Sequence, residues 1–224
     1  MSKDSVAIVD YGSGNLFSVQ RALEVCGAEY IQITSDPDTI LSSDRVILPG
    51  VGAFKDAMDG LRDRGLDETV RNFVTTGKPF LGICVGMQLL AAEGYEGGIH
   101  KGLGIIDGQV KPISRIAPDG SARKVPFIGW SCLERVNEDN WNTSILNEVK
   151  SDQPVYFLHS YQFIPEKDKD CLAIHYFHGE RITAAVRRGN VFGTQFHPEK
   201  SRHVGLNIIS TFLKISNSNK SPEF

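Results

Sequence analysis

The chain has little of what marks a secreted, membrane-spanning or nucleic-acid-binding protein. Its 224 residues include four cysteines, Cys26, Cys84, Cys132 and Cys171, far apart and with no Cys-x-x-Cys pair. Such spacing fits a reducing compartment better than a disulfide scaffold, and it carries no zinc signature. His175 and His178 stand three apart on an expected strand, where side chains alternate, so they make a poor pair for one metal. No apolar run approaches the roughly 18–20 residues of a membrane span. The opening Met-Ser-Lys-Asp-Ser runs into a strand pattern with no charged-then-apolar leader. Basic side chains number 24 against 27 acidic ones, a formal charge of −3, so no basic face for nucleic acid is implied. What is present is a 41% hydrophobic chain of a length that suits one domain with a sizeable core. The expectation is a cytoplasmic protein.

Short apolar runs alternate with helical patterns in the first half. Val6–Asp10, Tyr30–Thr34, Arg45–Leu48 and Phe80–Ile83 read as strands; Leu16–Cys26, Leu66–Thr75 and Val85–Ala92 read as helices. That alternation predicts an α/β fold, an open, mostly parallel sheet with helices on both faces. The second half changes to successive strands, Gly104–Pro112, Val125–Leu133, Val155–Ile164, Leu172–Phe177, Ile182–Arg187 and Val191–Phe196, which predicts an antiparallel extension. Gly189-Asn190 reads as a hairpin tip. A helix over Val204–Ile215 closes a single domain, 1–215, and the Ser/Asn/Lys-rich stretch 216–224 is expected to be a flexible tail.

Three segments carry candidate chemistry. Gly82-Ile-Cys84-Val-Gly86 has the G-x-nucleophile-x-G form of a strand-to-helix elbow, with cysteine as nucleophile. The turn lifts the side chain out of the sheet, and the helix N-terminus puts partial positive charge beside the sulfur. The bland alternative is a buried, inert cysteine. Pro49-Gly-Val-Gly-Ala-Phe54 follows another strand, and its glycines permit a peptide N–H to turn outward. With the N–H of Val85 it would make an oxyanion hole, against the plain alternative of a β-turn. Gly193-Thr-Gln-Phe-His197-Pro-Glu199 ends the last strand. Residues two apart on a strand share a face, so Glu199 would orient His197 as the base for Cys84. In an α/β-hydrolase the acid precedes the histidine, which argues against that family here. A fourth segment, Asp10-Tyr-Gly-Ser-Gly-Asn15, sits where a dinucleotide site begins, but Phe17 stands where the third glycine is needed. Asp36, near the distance for a ribose contact, belongs to a Ser-Asp-Pro-Asp turn.

Pro49-Gly-Val-Gly, Gly82-Ile-Cys-Val-Gly-Met-Gln-Leu and Gln195-Phe-His-Pro-Glu resemble the three signatures of class I, triad-type glutamine amidotransferases. Asp10-Tyr-Gly-Ser-Gly-Asn and Phe157-Leu-His-Ser-Tyr161 narrow the resemblance to glutaminase subunits of imidazole glycerol phosphate synthase, over about residues 6–215. The resemblance implies a triad of Cys84, His197 and Glu199, with the backbone of Val51 and Val85 as oxyanion hole. It implies that Gln88 and Glu96 hold the amino-acid end of glutamine, and that Gly52, His159, Ser160 and Tyr161 line the same pocket. The implied partner is a (β/α)8-barrel cyclase subunit in a heterodimer, met near Asn15, Trp130 and Lys200. Neither cofactor nor metal is implied. Read without the family, Trp130 is a core aromatic and Lys200 a solvated charge.

One segment departs from the family pattern Pro-His-x-Gly-Trp-Asn: here it is Pro126-Phe127-Ile-Gly-Trp130-Ser131. Phe127 and Ser131 replace two polar positions expected near the partner side, which leaves the acceptor of ammonia open. The alternatives are a paralogue that supplies ammonia for amination of a surface-polysaccharide sugar, a non-catalytic regulatory subunit and a cysteine hydrolase.

Overall fold

The computed structural model describes residues 4–136 and 141–217; the expected tail beyond 217 lies outside the described residues. The strands of the first half are β1 (Ser5–Val9), β2 (Tyr30–Thr34), β3 (Arg45–Gly50) and β4 (Phe80–Cys84). Those of the second half are β5 (Glu93–Gly94), β6 (His100–Lys101), β7 (Gly108–Pro112), β8 (Phe127–Cys132), β9 (Glu134–Arg135), β10 (Pro154–His159), β11 (Tyr161–Pro165), β12 (Cys171–Phe177), β13 (Glu180–Arg188) and β14 (Val191–Thr194).

The main sheet has eight strands in the order β2-β1-β3-β4-β14-β13-β12-β9. The first five pair in parallel and the remainder antiparallel. The inner strands β3, β4 and β14 are buried along their whole length. Parallel strands covered on both faces read as such unbroken apolar runs, which is why they are visible in the sequence. β13 and β14 form the expected hairpin across Gly189-Asn190, where Gly189 has a positive φ. Two smaller sheets, β10-β8 and β11-β7-β5-β6, sit beside the main one. Helices α1 (Leu16–Val25) and α6 (Arg202–Lys214) pack together, and α2 (Pro37–Ser42) and α3 (Phe54–Arg62) pack on α4 (Leu66–Thr75). Among the described residues no helix is long and apolar enough to cross a membrane.

The structure differs from the sequence pattern at several points and fills in others. The helix after Cys84, α5, covers only Val85–Gln88, and the chain then turns toward β5. The expected strand 155–164 is two strands that break at Ser160: β10 pairs with β8, and β11 with β7. The polar pair His159-Ser160 interrupts the apolar run at the break, but Gln162 shows that polar residues also occur within these strands, so the pair does not by itself mark a change of sheet. His178 lies beyond the end of β12 in a turn with φ 47°, so strand alternation does not apply to it. Asp36 is the N-cap of α2, its carboxylate accepting the N–H of Thr39 at 2.9 Å, with Pro37 in the first turn. Helix α3, which the strand-and-helix pattern passed over, places Phe54, Ala57, Met58 and Leu61 on one buried stripe.

Candidate functional site

The parallel strands of the first half carry the elbow cysteine. β4 ends on Cys84 and α5 starts at Val85, with Cys84 at φ 55° and ψ −111°, a conformation rare for a residue with a side chain. The glycines on either side have steric causes. A Cβ on Gly86 would lie 1.8 Å from the Leu48 carbonyl oxygen, and one on Gly82 would lie 2.6 Å from the Gly86 oxygen. The elbow is therefore wedged against β3. Gly50, opposite Cys84 in the β3–β4 ladder, has room for no side chain either: its Cβ would meet Gly86 N at 2.6 Å and the Tyr11 hydroxyl at 2.8 Å. Val51 and Gly52 follow at once, Gly52 at φ 89°, and the Ser13 hydroxyl donates to the Val51 carbonyl at 3.0 Å. Thus the loop after β1 braces the loop after β3. Asp10, once weighed as part of a nucleotide loop, closes its own turn by accepting the Gly12 N–H at 2.9 Å.

The second half of the chain carries the histidine. His197 follows β14, and its backbone is held at both ends: its N–H donates to the Tyr156 carbonyl at 2.9 Å, and its carbonyl accepts the Ser201 hydroxyl at 2.6 Å. Its Nδ1 lies 2.9 Å from Glu199 Oε1, and the Glu199 side chain is fully buried. The pairing comes from the 3-10 turn Pro198–Lys200, which folds the acid back onto the ring, and not from strand alternation as the sequence suggested; β14 has already ended at Thr194. Burial alone would lower the pKa of His197. Hydrogen bonds and charge attraction from Cys84 and Glu199 outweigh it and raise the value to about 9. At neutral pH the ring is an imidazolium between a sulfur and a carboxylate, the charge arrangement that a thiolate nucleophile needs.

Cys84 and His197 open onto a cavity of about 240 Å³. Val51, Gly52, Val85, Gln88, Glu96, His159, Ser160 and Tyr161, all named from the sequence, line it. Pro126 and Leu158 line it as well, and nothing in their residue types announced them. Glu96 uses one carboxylate oxygen to accept the Phe54 N–H at 2.8 Å, which caps α3 where Ala53 offers no side chain. His159 is buried, and its Nδ1 donates to the Tyr161 carbonyl at 2.9 Å. Desolvation lowers its pKa to about 4, so it is neutral at pH 7. Tyr161 stands opposite Pro112, which has no N–H to give, and its carbonyl also accepts Gln88 Nε2 at 3.3 Å.

The three expected partner-facing residues lie outside the cavity. Asn15 is half-buried and reaches Glu199 Oε1 at 3.4 Å, so it also touches the triad. Lys200 is exposed. Trp130 is no core aromatic: it is 42% exposed, the Arg202 guanidinium lies 4.8 Å from its ring, and its face of β8 and β10 also shows Ile128 and Leu158. Phe127 and Ser131 sit at alternate positions from Trp130 on β8 and are half-buried on its other face. Phe127 packs on Phe177, His175 and Phe157, with centroids 4.6, 5.3 and 5.7 Å away. It is a packing residue, not a partner-facing one.

An elbow cysteine with a buried His–Glu pair, on this sheet order, defines a class of enzyme. The chain belongs to the class-I glutamine amidotransferase family, whose profile matches residues 7–215. More narrowly, it is 44% identical over 212 residues to imidazole glycerol phosphate synthase subunit HisH 1 of Legionella pneumophila (strain Lens), covering 94% of this chain and 99% of that protein. It is likewise 44% identical to subunit HisH of a Geobacillus species, over 94% of this chain and 96% of the relative. Among solved structures, PurLQS from Thermotoga maritima superposes with a TM-score of 0.70 at 22% identity, over 95% of this chain and 98% of that one. A crystal structure of a glutamine amidotransferase gives 0.69 at 21% identity, over 94% and 98%. At that identity the likeness is one of fold.

Proposed function

We propose that this protein is the glutaminase subunit of an imidazole glycerol phosphate synthase, acting in histidine biosynthesis. The observation that carries this reading is the meeting of the Cys84 elbow and the His197–Glu199 pair in one cavity with Gln88, Glu96 and the Ser160-Tyr161 backbone. The HisH relatives, matched nearly end to end, support the pathway.

The chemistry follows from the arrangement. Cys84 sulfur attacks the side-chain carboxamide carbon of glutamine, and the oxyanion that forms is held by the N–H groups of Val51 and Val85. The His197 imidazolium gives its proton to the departing nitrogen, so ammonia leaves and a glutamyl thioester remains. Neutral His197 then takes a proton from water as the water attacks the thioester, and glutamate and the thiolate are released. Glu199 accepts from Nδ1 throughout and favours the cationic ring. Glu96 and Gln88 hold the amino-acid end of the substrate, with the Glu96 carboxylate facing its α-ammonium. Ammonia passes to a (β/α)8-barrel cyclase partner seated on the Asn15, Trp130 and Lys200 side. The residues 1–215 act as one domain, in the cytoplasm.

The test is glutamate release measured with and without the synthase partner. Cys84→Ala is expected to lose glutamine hydrolysis by at least about a thousandfold, whereas the complex fed with ammonium salt keeps its synthase turnover. Full hydrolysis by Cys84→Ala sinks the proposal.

A further inference from the structure

A buried chain of carboxamides runs from the cavity wall to the sulfur. Gln88 Nε2 donates to the Tyr161 carbonyl at 3.3 Å and to Gln195 Oε1 at 2.9 Å, and Gln195 Nε2 lies 3.8 Å from Cys84 Sγ. Gln195 is fully buried and Gln88 is 4% exposed. A backbone carbonyl can only accept, so the Tyr161 oxygen fixes which end of the Gln88 amide is the NH₂ group. That group then fixes Gln195 with its oxygen toward Gln88, which leaves the Gln195 NH₂ pointing at sulfur. The direction of the whole chain is therefore set, and the group it presents to Cys84 is a donor.

The sulfur also meets His197, and its S–H faces the Leu158 carbonyl at 3.9 Å. When the proton goes to His197, the contact from sulfur to that carbonyl loses its hydrogen, whereas the Gln195 N–H gains an anion. A donor held in place on the buried side of the sulfur favours the charged form over the neutral one. It also leaves the cavity side of the sulfur open for attack.

We propose that Gln195 is a thiolate-holding residue of the glutaminase site, oriented by the Tyr161 carbonyl through Gln88. This rests on the reading of Cys84 as nucleophile. If that reading is wrong, Cys84→Ala retains glutamine hydrolysis, and that result is independent of anything measured at Gln195.

The test is the pH dependence of iodoacetamide labelling of the full chain, with labelling of Cys84 resolved from Cys26, Cys132 and Cys171 by peptide mass spectrometry. Gln195→Met keeps the volume and removes the donor. Its labelling midpoint is expected to rise by about one pH unit, with the Cys84 labelling rate on the acid side of both midpoints falling about tenfold. Thr194→Val is the matched control: it is the neighbouring buried position, and its hydroxyl has no hydrogen-bond partner, so its midpoint stays where it is in the unaltered chain. Thermal unfolding accompanies each variant. Where Gln195→Met does not fold, Gln195→Asn draws the donor back by one methylene and is expected to raise the midpoint in the same sense. An unchanged midpoint in a folded Gln195→Met or Gln195→Asn overturns the proposal, as does an equal rise in Thr194→Val.

Discussion

The two halves of the site are specified in different ways. On the cysteine side the geometry is local and steric. Cys84 takes its positive φ because Gly82 and Gly86 let the elbow lie against Leu48 with no side chain between them. On the histidine side the geometry is assembled over distance. His197 is held by Tyr156 and Ser201, Glu199 by the 3-10 turn and Asn15, and the cavity wall by a change of sheet at Ser160. The first half tolerates no added atom, whereas the second depends on charges and hydrogen bonds that can be weakened by degrees.

Three experiments press on that contrast. The largest effect belongs to the steric side. Gly86→Ala places a Cβ 1.8 Å from the Leu48 carbonyl oxygen, an overlap that neither backbone can yield to cheaply. A loss of stability above about 4 kcal/mol is expected, read as a large fall in thermal midpoint together with loss of activity. A Gly86→Ala protein as stable as the unaltered one would show that the elbow is not wedged.

On the electrostatic side the loss is graded. Glu199→Gln keeps the shape but removes the charge beside Nδ1, so kcat for glutamine hydrolysis is expected to fall about a hundredfold with the fold intact. His197 would then titrate below its present value of about 9. NMR of the ring protons in both proteins checks this, and an unmoved titration would remove Glu199 from the pair.

The smallest effect concerns stability against pH, and the sign differs between the histidines. His197 has a folded pKa raised from 6.5 to about 9. Its contribution is fully present below pH 6.5 and is lost as pH rises through 9. His159 and His175 run the other way: desolvation lowers them to about 4 and about 3, so they are neutral when folded. The unfolded chain takes up protons first, and stability falls as pH drops from 6.5 toward those values. His175 stacks on Phe157 with centroids 4.2 Å apart, and its Nε2 has no hydrogen-bond partner. His175→Phe is therefore expected to fold at pH 7 with a thermal midpoint at least as high as before. Between pH 7 and pH 5 it should lose less of that midpoint than the unaltered chain does. An equal acid loss in both proteins would take His175 out of the acid response.

Legibility in the sequence follows the same division. The parallel strands show as unbroken apolar runs, and Gly82, Cys84 and Gly86 are adjacent, so the elbow can be read directly. The pairing of Glu199 with His197 is legible from their spacing by two, but its cause is not: a 3-10 turn, and no shared strand face, brings them together. The break at Ser160 shows in the sequence only as the polar pair His159-Ser160, which an uninterrupted strand could also carry. Gln195 belongs to the Gln195-Phe-His-Pro-Glu segment, where the histidine and the acid draw the eye first. Its signal was a polar side chain two positions before His197, at the end of a strand buried throughout. Phe127 looked like a surface replacement because its burial depends on Phe177 and His175, some 50 residues away along the chain.

Both His159 and Gln88 take their orientation from the main-chain oxygen of Tyr161. No exchange among the twenty amino acids deletes that oxygen. Side-chain scanning will pass over the anchor without registering it, and mutational drift can alter residue 161 while the oxygen remains. Only a change in backbone path, such as an insertion at the Ser160 break, can take it away.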